Sequence, residues 1–241
     1  MFKLQSILTS GAIMCVFATA SLADSVTVDL SSVANGSWCN VGGGTLFGCS
    51  ALPTGQQTYN GETFNIASGA SGNAWFSSVA SGKTSGVTSV TVQTNVTNAV
   101  SVKTLISTLW GQGGTSYDSI TFNGSKGSFT EALTGNNTLR DYNNYVWTNS
   151  IQQPTTVAWT DVSQRLDEQV FSLGSYAGED LTSVTLTDWG NELFSRAFLA
   201  GLTVDTDPTS QAAAVTPEPS YLAFVGATLL GAGLLFRRKR A

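Results

Sequence analysis

The chain has 241 residues, 41% of them hydrophobic and only 11% charged, with a formal net charge of −5 and no histidine. The missing histidine excludes Ser-His-Asp triads, Cys-His dyads and histidine-based metal sites. The acidic balance argues against nucleic acid as a partner.

The N-terminal stretch reads as a targeting signal. Lys3 is the only charge before Asp24, residues 7–20 are mostly small or apolar, and Ser21-Leu22-Ala23 is a small-x-small site. This layout predicts a secretory signal peptide over residues 1–23, cleaved before Asp24. An uncleaved anchor is the alternative, and the shortness of the run disfavours it. Cys15 lies within that run without a lipobox before it.

The segment predicted to be exported carries six cations against fifteen acidic groups, a net charge of −9. Residues 24–205 are expected to form one domain, large enough for a proper core. Cys39 and Cys49 are the only cysteines left after removal of the signal. An even pair in an exported chain predicts a disulfide, whose loop closure contributes about 2–3 kcal/mol. Two cysteines without histidine make no metal site, and no metal or cofactor is expected.

Alternating β-branched and polar residues recur at Ser25–Leu30, Gly86–Val96, Ser119–Phe122, Leu166–Leu173, Leu181–Leu186 and Ala197–Val204. Period-two patterns punctuated by Gly, Asn and Asp predict half-buried antiparallel strands. Ala99–Trp110 admits a long strand or a short helix, and its Val, Ile and Thr content favours strand. No long amphipathic helix is visible in this region. The expected fold is therefore all-β: a single antiparallel β-sandwich, jelly-roll-like, of about eight to ten strands. Leu181–Val204 resembles the closing strand pair of galactose-binding-like and carbohydrate-binding jelly rolls, a resemblance that implies fold more than function.

Without histidine, catalysis would have to rest on carboxylates such as Asp167-Glu168, Glu179-Asp180, Asp205/Asp207 or Asp141/Asp161. A glycosidase needs two of them about 5–10 Å apart in a cleft. Neighbours on a strand face opposite sides, so Asp167 and Glu168 cannot cooperate. No catalytic residue is assigned, and these groups are expected at solvated turns and strand ends. Asp205-Thr206-Asp207 resembles a fragment of a calcium loop, but calcium is not expected. Arg140-Asp141 and Arg165-Asp167 are read as ion pairs that close loops, with sugar recognition as the alternative. Asp141–Trp147 holds two Tyr, one Trp and several amides in seven residues. Tyr142, Tyr145 and Trp147 are therefore candidate glycan contacts, with core packing an equal alternative.

Residues 206–216 are polar and small and read as a linker. Beyond them come Pro217-Glu218-Pro219, an uncharged run over 221–236, and Arg237-Arg238-Lys239-Arg240. A helix over that run spans roughly 24 Å, and snorkelling cations and Tyr221 let it reach across a membrane with its basic end inside. The three parts in this order resemble the C-terminal sorting signal of PEP-CTERM proteins, over residues 217–241. The resemblance implies a Gram-negative bacterium, export across the inner membrane, and an exosortase-type protease as partner. It also implies a destination at the cell surface or in an exopolysaccharide or biofilm matrix. The expected function is a non-enzymatic surface or matrix protein. The alternatives are a carbohydrate-binding module and, less favoured, a carboxylate-based hydrolase.

Overall fold

The computed structural model describes residues 24–39, 51–78, 86–109, 114–135, 138–143, 155–161, 164–190 and 196–207, apart from the side chain of Tyr117. Residues 1–23, the 208–216 part of the expected linker, and 217–241 with its sorting motif and apolar run lie outside them. Among the described residues no helix is long and apolar enough to cross a membrane. The chain is all-β, and the described residues hold eleven strands, one more than the upper expectation.

Nine strands form one antiparallel sheet. Its spine is β5 (Thr88–Leu109), 22 residues long. The two segments read separately at 86–96 and 99–110 fall along this one strand, residue 110 lying outside the described residues. It bends where Asn95 and Asn98 adopt φ of 51° and 54°. Asn tolerates this left-handed backbone better than other non-glycine residues, because its short side chain bonds locally. The two register shifts against β10 (Glu179–Asp188) fall at the same place. Successive bulges sharpen twist and bend a strand.

The bend divides the sheet. The front half runs β5 (residues 88–96), β10, β6 (Ser116–Gly124) and β7 (Gly127–Thr134). The rear half runs β1 (Asp24–Val28), β11 (Arg196–Thr206), β5 (residues 99–109), β9 (Arg165–Ser172) and β8 (Thr155–Thr160). The short β4 (Trp75–Phe76) pairs with the start of β11. The halves face one another in a sandwich-like arrangement. Val92 of β5, Phe122 of β6 and Val184 of β10 share a core with Val102 of β5, Phe171 of β9 and Val204 of β11. Phe122 and Phe171 meet across it with ring centroids 5.4 Å apart.

A third layer covers the outer face of the rear half. The hairpin of β2 (Gly55–Tyr59) and β3 (Glu62–Ile66) turns on Asn60-Gly61, both at positive φ. That pair is the preferred sequence for a two-residue turn matching strand twist. Phe64 and Ile66 of the hairpin pack with Trp38, Leu105, Leu166 and Phe198 in a second core. Thr203 Oγ donates to the Thr63 carbonyl at 2.6 Å. Gly201 makes room for the hairpin, since a Cβ there would stand 3.1 Å from Phe64 and 2.9 Å from Leu105.

Two coverings explain a departure from expectation. Alternation predicts one exposed face for 197–204, yet every residue of β11 is buried. β10 and β11 also do not pair with each other as a closing pair would: each bonds to a different half of β5. Finally, β11 runs through Asp205 and Thr206, so residue 206, read as linker, belongs to the sheet.

Candidate functional site

The strand register gathers charge at one pole of the sandwich. Strands β5 (at Leu109), β6, β9, β10 and β11 all end or begin there, and Ile106, Ile120, Leu186 and Leu199 of the shared core set which side chains face inward. Asp167 follows the parity of Phe171, Asp118 that of Ile120 and Phe122, and Asp188 that of Val184 and Leu186. All three carboxyls therefore point inside and are buried.

One cluster is an ion-pair network. Arg140 forks onto Asp167, with Nε donating to Oδ2 at 2.7 Å and Nη2 donating to Oδ1. Arg165 Nε donates to the Asp141 carbonyl at 3.2 Å. Burial, then the Arg140 charge, pulls the Arg165 guanidinium below its ordinary range. Each arginine thus crosses to the other's segment and fastens residues 138–143 beneath β9. The Arg140 carbonyl accepts from Thr108 N–H at 3.0 Å and from Ser107 Oγ at 2.7 Å, which ties the segment to the end of β5.

The second cluster was not singled out from sequence. Asp118 and Asp188 are register partners on β6 and β10. Asp188 accepts from Ser77 Oγ, from Gly190 N–H at 2.8 Å and from Ala197 N–H at 3.3 Å. Arg196 lies close enough to Asp188 to feel its charge. Neither oxygen of Asp118 accepts a hydrogen bond. Burial, and then the Asp188 charge, hold its carboxyl well above the usual carboxylate range. Burial beside a like charge makes Asp118 hold its proton to higher pH than an exposed aspartate does. The signal was present in the sequence: carrying the alternation of Ile120/Phe122 and Val184/Leu186 one step further puts both carboxyls inside.

Tyr142 is 8% exposed, and its ring meets the edge of Trp38 at 6.4 Å. It is a core side chain, not a surface platform. Tyr145 and Trp147 lie outside the described residues. Cys39 is disulfide-bonded. Its partner, and the predicted Cys49, lie outside the described residues. Asp167 and Glu168 face opposite sides, Glu168 accepting from Asn60 Nδ2 of the hairpin at 2.9 Å. Asp205 pairs with Lys103 at 2.9 Å and accepts from Ser25 and Ser101, so it anchors the sheet. Asp161 accepts from Gln164 N–H at 2.8 Å, and Glu179 from Lys126 N–H at 3.1 Å, both in turns. Among the described residues no group of three or more acidic or cysteine ligands converges on a metal position.

Of the tryptophans with a described environment, Trp38 and Trp75 are buried and Trp159 meets Trp38 edge-on at 6.0 Å. Trp189 is 37% exposed. No protein-family model matches the chain, and no curated protein is significantly similar to it.

Proposed function

We propose that the chain is an exported, membrane-sorted, non-enzymatic protein of the cell surface or extracellular matrix, associated with exopolysaccharide. The observation that carries this reading is the order of parts at 217–241: Pro-Glu-Pro, an uncharged run, then four cations. That order suits recognition by an exosortase-type protease while the run holds the chain in the membrane. One feature of the described body is compatible with it: the carboxylates considered for catalysis at 141, 161, 167, 168, 179 and 205 each serve a turn, an ion pair or a layer contact. The sandwich is read as jelly-roll-like, since β9, β10 and β11 pass in turn between its halves.

The test is mass spectrometry of the protein recovered from the surface of an exosortase-bearing host. A C-terminus near Pro217-Glu218-Pro219 is expected. In a second strain lacking residues 217–241, the protein is expected in the medium or periplasm and no longer at the surface. A mature protein still ending at Ala241 would make the chain a permanent membrane protein and sink the sorting reading.

A further inference from the structure

The front half of the sheet has an outer face that none of the preceding roles uses. Register aligns Thr91, Thr185, Thr121 and Thr130 in one row across all four strands, β5, β10, β6 and β7. Their hydroxyls are already paired, Thr91 with Thr185 at 3.0 Å and Thr121 with Thr130 at 2.8 Å. The rows on either side, which cross β10 at Thr187 and Ser183, hold only Ser, Thr, Gln, Asn and one Ala. No charged residue stands in these three rows. Trp189 continues the outward parity of Thr185 and Thr187, beside Val87, which continues that of Thr91. They are 37% and 70% exposed, respectively.

The chemistry of this face selects its partner. An ionic ligand finds no counter-charge in the rows, and the net −5 of the chain repels polyanions. Hydroxyls both donate and accept, so the rows match another hydroxyl-bearing surface in either sense. Strand spacing and residue rise set them on a grid of roughly 4.8 by 6.8 Å. β-Branching and the hydroxyl pairs fix the threonine rotamers beforehand, which lowers the entropy lost on binding. An exposed indole at the margin offers a flat apolar surface to the C–H face of a sugar ring.

We propose that the outer face of β5–β10–β6–β7, with Trp189 at its margin, binds a neutral polysaccharide. This inference rests on the matrix reading and assigns its contact surface.

The experiment is affinity electrophoresis of the full-length protein in a polyoxyethylene detergent. Native gels are cast with neutral hydroxyethylcellulose or with anionic alginate. Wild type is expected to be retarded by the first and not by the second. The double variant Thr121→Val/Thr185→Val keeps β-branching but loses two hydroxyls, and should weaken retardation about tenfold. Trp189→Ala should do likewise and provides an independent check if the valine variant fails to fold. Thermal melting verifies the fold of each.

Undiminished retardation of both folded variants overturns the face while leaving a polysaccharide-binding matrix protein. Wild type that ignores neutral glucan overturns the face and the polysaccharide part of the matrix reading, while the C-terminal mass measurement still decides sorting separately. Equal retardation by alginate, or a dimer that the valine variant dissociates, overturns the assignment in favour of an ionic ligand or a second copy.

Discussion

Asp118 shows how far a single side chain can set the behaviour of this domain. Its carboxyl is buried, feels the Asp188 charge from β10, and stands opposite the apolar Leu133, its register partner on β7. The folded pKa is raised above the unfolded value of about 3.9. Its contribution to stability is therefore complete below that unfolded value and is lost as pH rises through the folded pKa. Asp118→Asn keeps the shape and replaces the proton by an amide donor. At pH 8 the variant is expected to be more stable than wild type by about 1–3 kcal/mol, and near pH 4 the difference should vanish. Denaturant melts at both values check this, and a variant less stable at pH 8 would show that the charged form is compensated. Inward placement of this residue was legible in the alternation around it. Its pairing with Asp188 was not, because cross-strand register over some seventy residues of chain is set by the whole sheet.

At the scale of elements, the bend in β5 decides the architecture. Two sequence segments with the same period looked like two strands of the usual length, since nothing in alternation distinguishes a break from a bulge. The clue lay in Asn95 and Asn98, three residues apart, each able to hold positive φ. Asn98→Val places a β-branched side chain at φ 54° and is expected to cost about 1–2 kcal/mol, whereas Asn98→Gly should be near neutral. Chemical denaturation of the two variants separates backbone strain from loss of a side-chain contact: equal losses in both would point to the contact. The strands missed from sequence fail the alternation test for physical reasons. β2 (GQQTY) has no apolar stripe because it lies on the outside of the third layer. The Asn60-Gly61 turn beside it was the better signal. β11, conversely, looked amphipathic only because Thr203 and Asp205 are polar. Their partners are Thr63 and Lys103, so the face they occupy is buried.

At the scale of the molecule, stability is divided between two cores with the rear half of the sheet between them. The outer core centres on Phe198, whose ring lies 4.7 Å from Trp38 and 5.4 Å from Phe76. Phe198→Ala is expected to cost about 3–5 kcal/mol. The loss should be uneven: hydrogen exchange is expected to accelerate first in β2 and β3, while amides of β6 and β10 keep their protection. Uniform acceleration would mean that the three layers unfold as one unit. The all-β class was legible from composition and period. The third layer was not, because its covering residues, Trp38, Leu52 and Phe64, are scattered through segments with little periodicity of their own.

The pairing of β1 with β11 has a geometrical consequence. Asp24 stands opposite Thr206, and Asp207 N–H reaches the Asn98 carbonyl at the bend of β5. Both ends of the described body thus leave from the bend, while Trp189 and the start of β11 lie at the far pole. The eleven residues of β11 separate the poles by roughly 35 Å. A body held through residue 207 stands on its bend like a post on a footing. Its tryptophan-bearing rim is lifted away from whatever holds it, and the hydroxyl-bearing rows cross its flank in between.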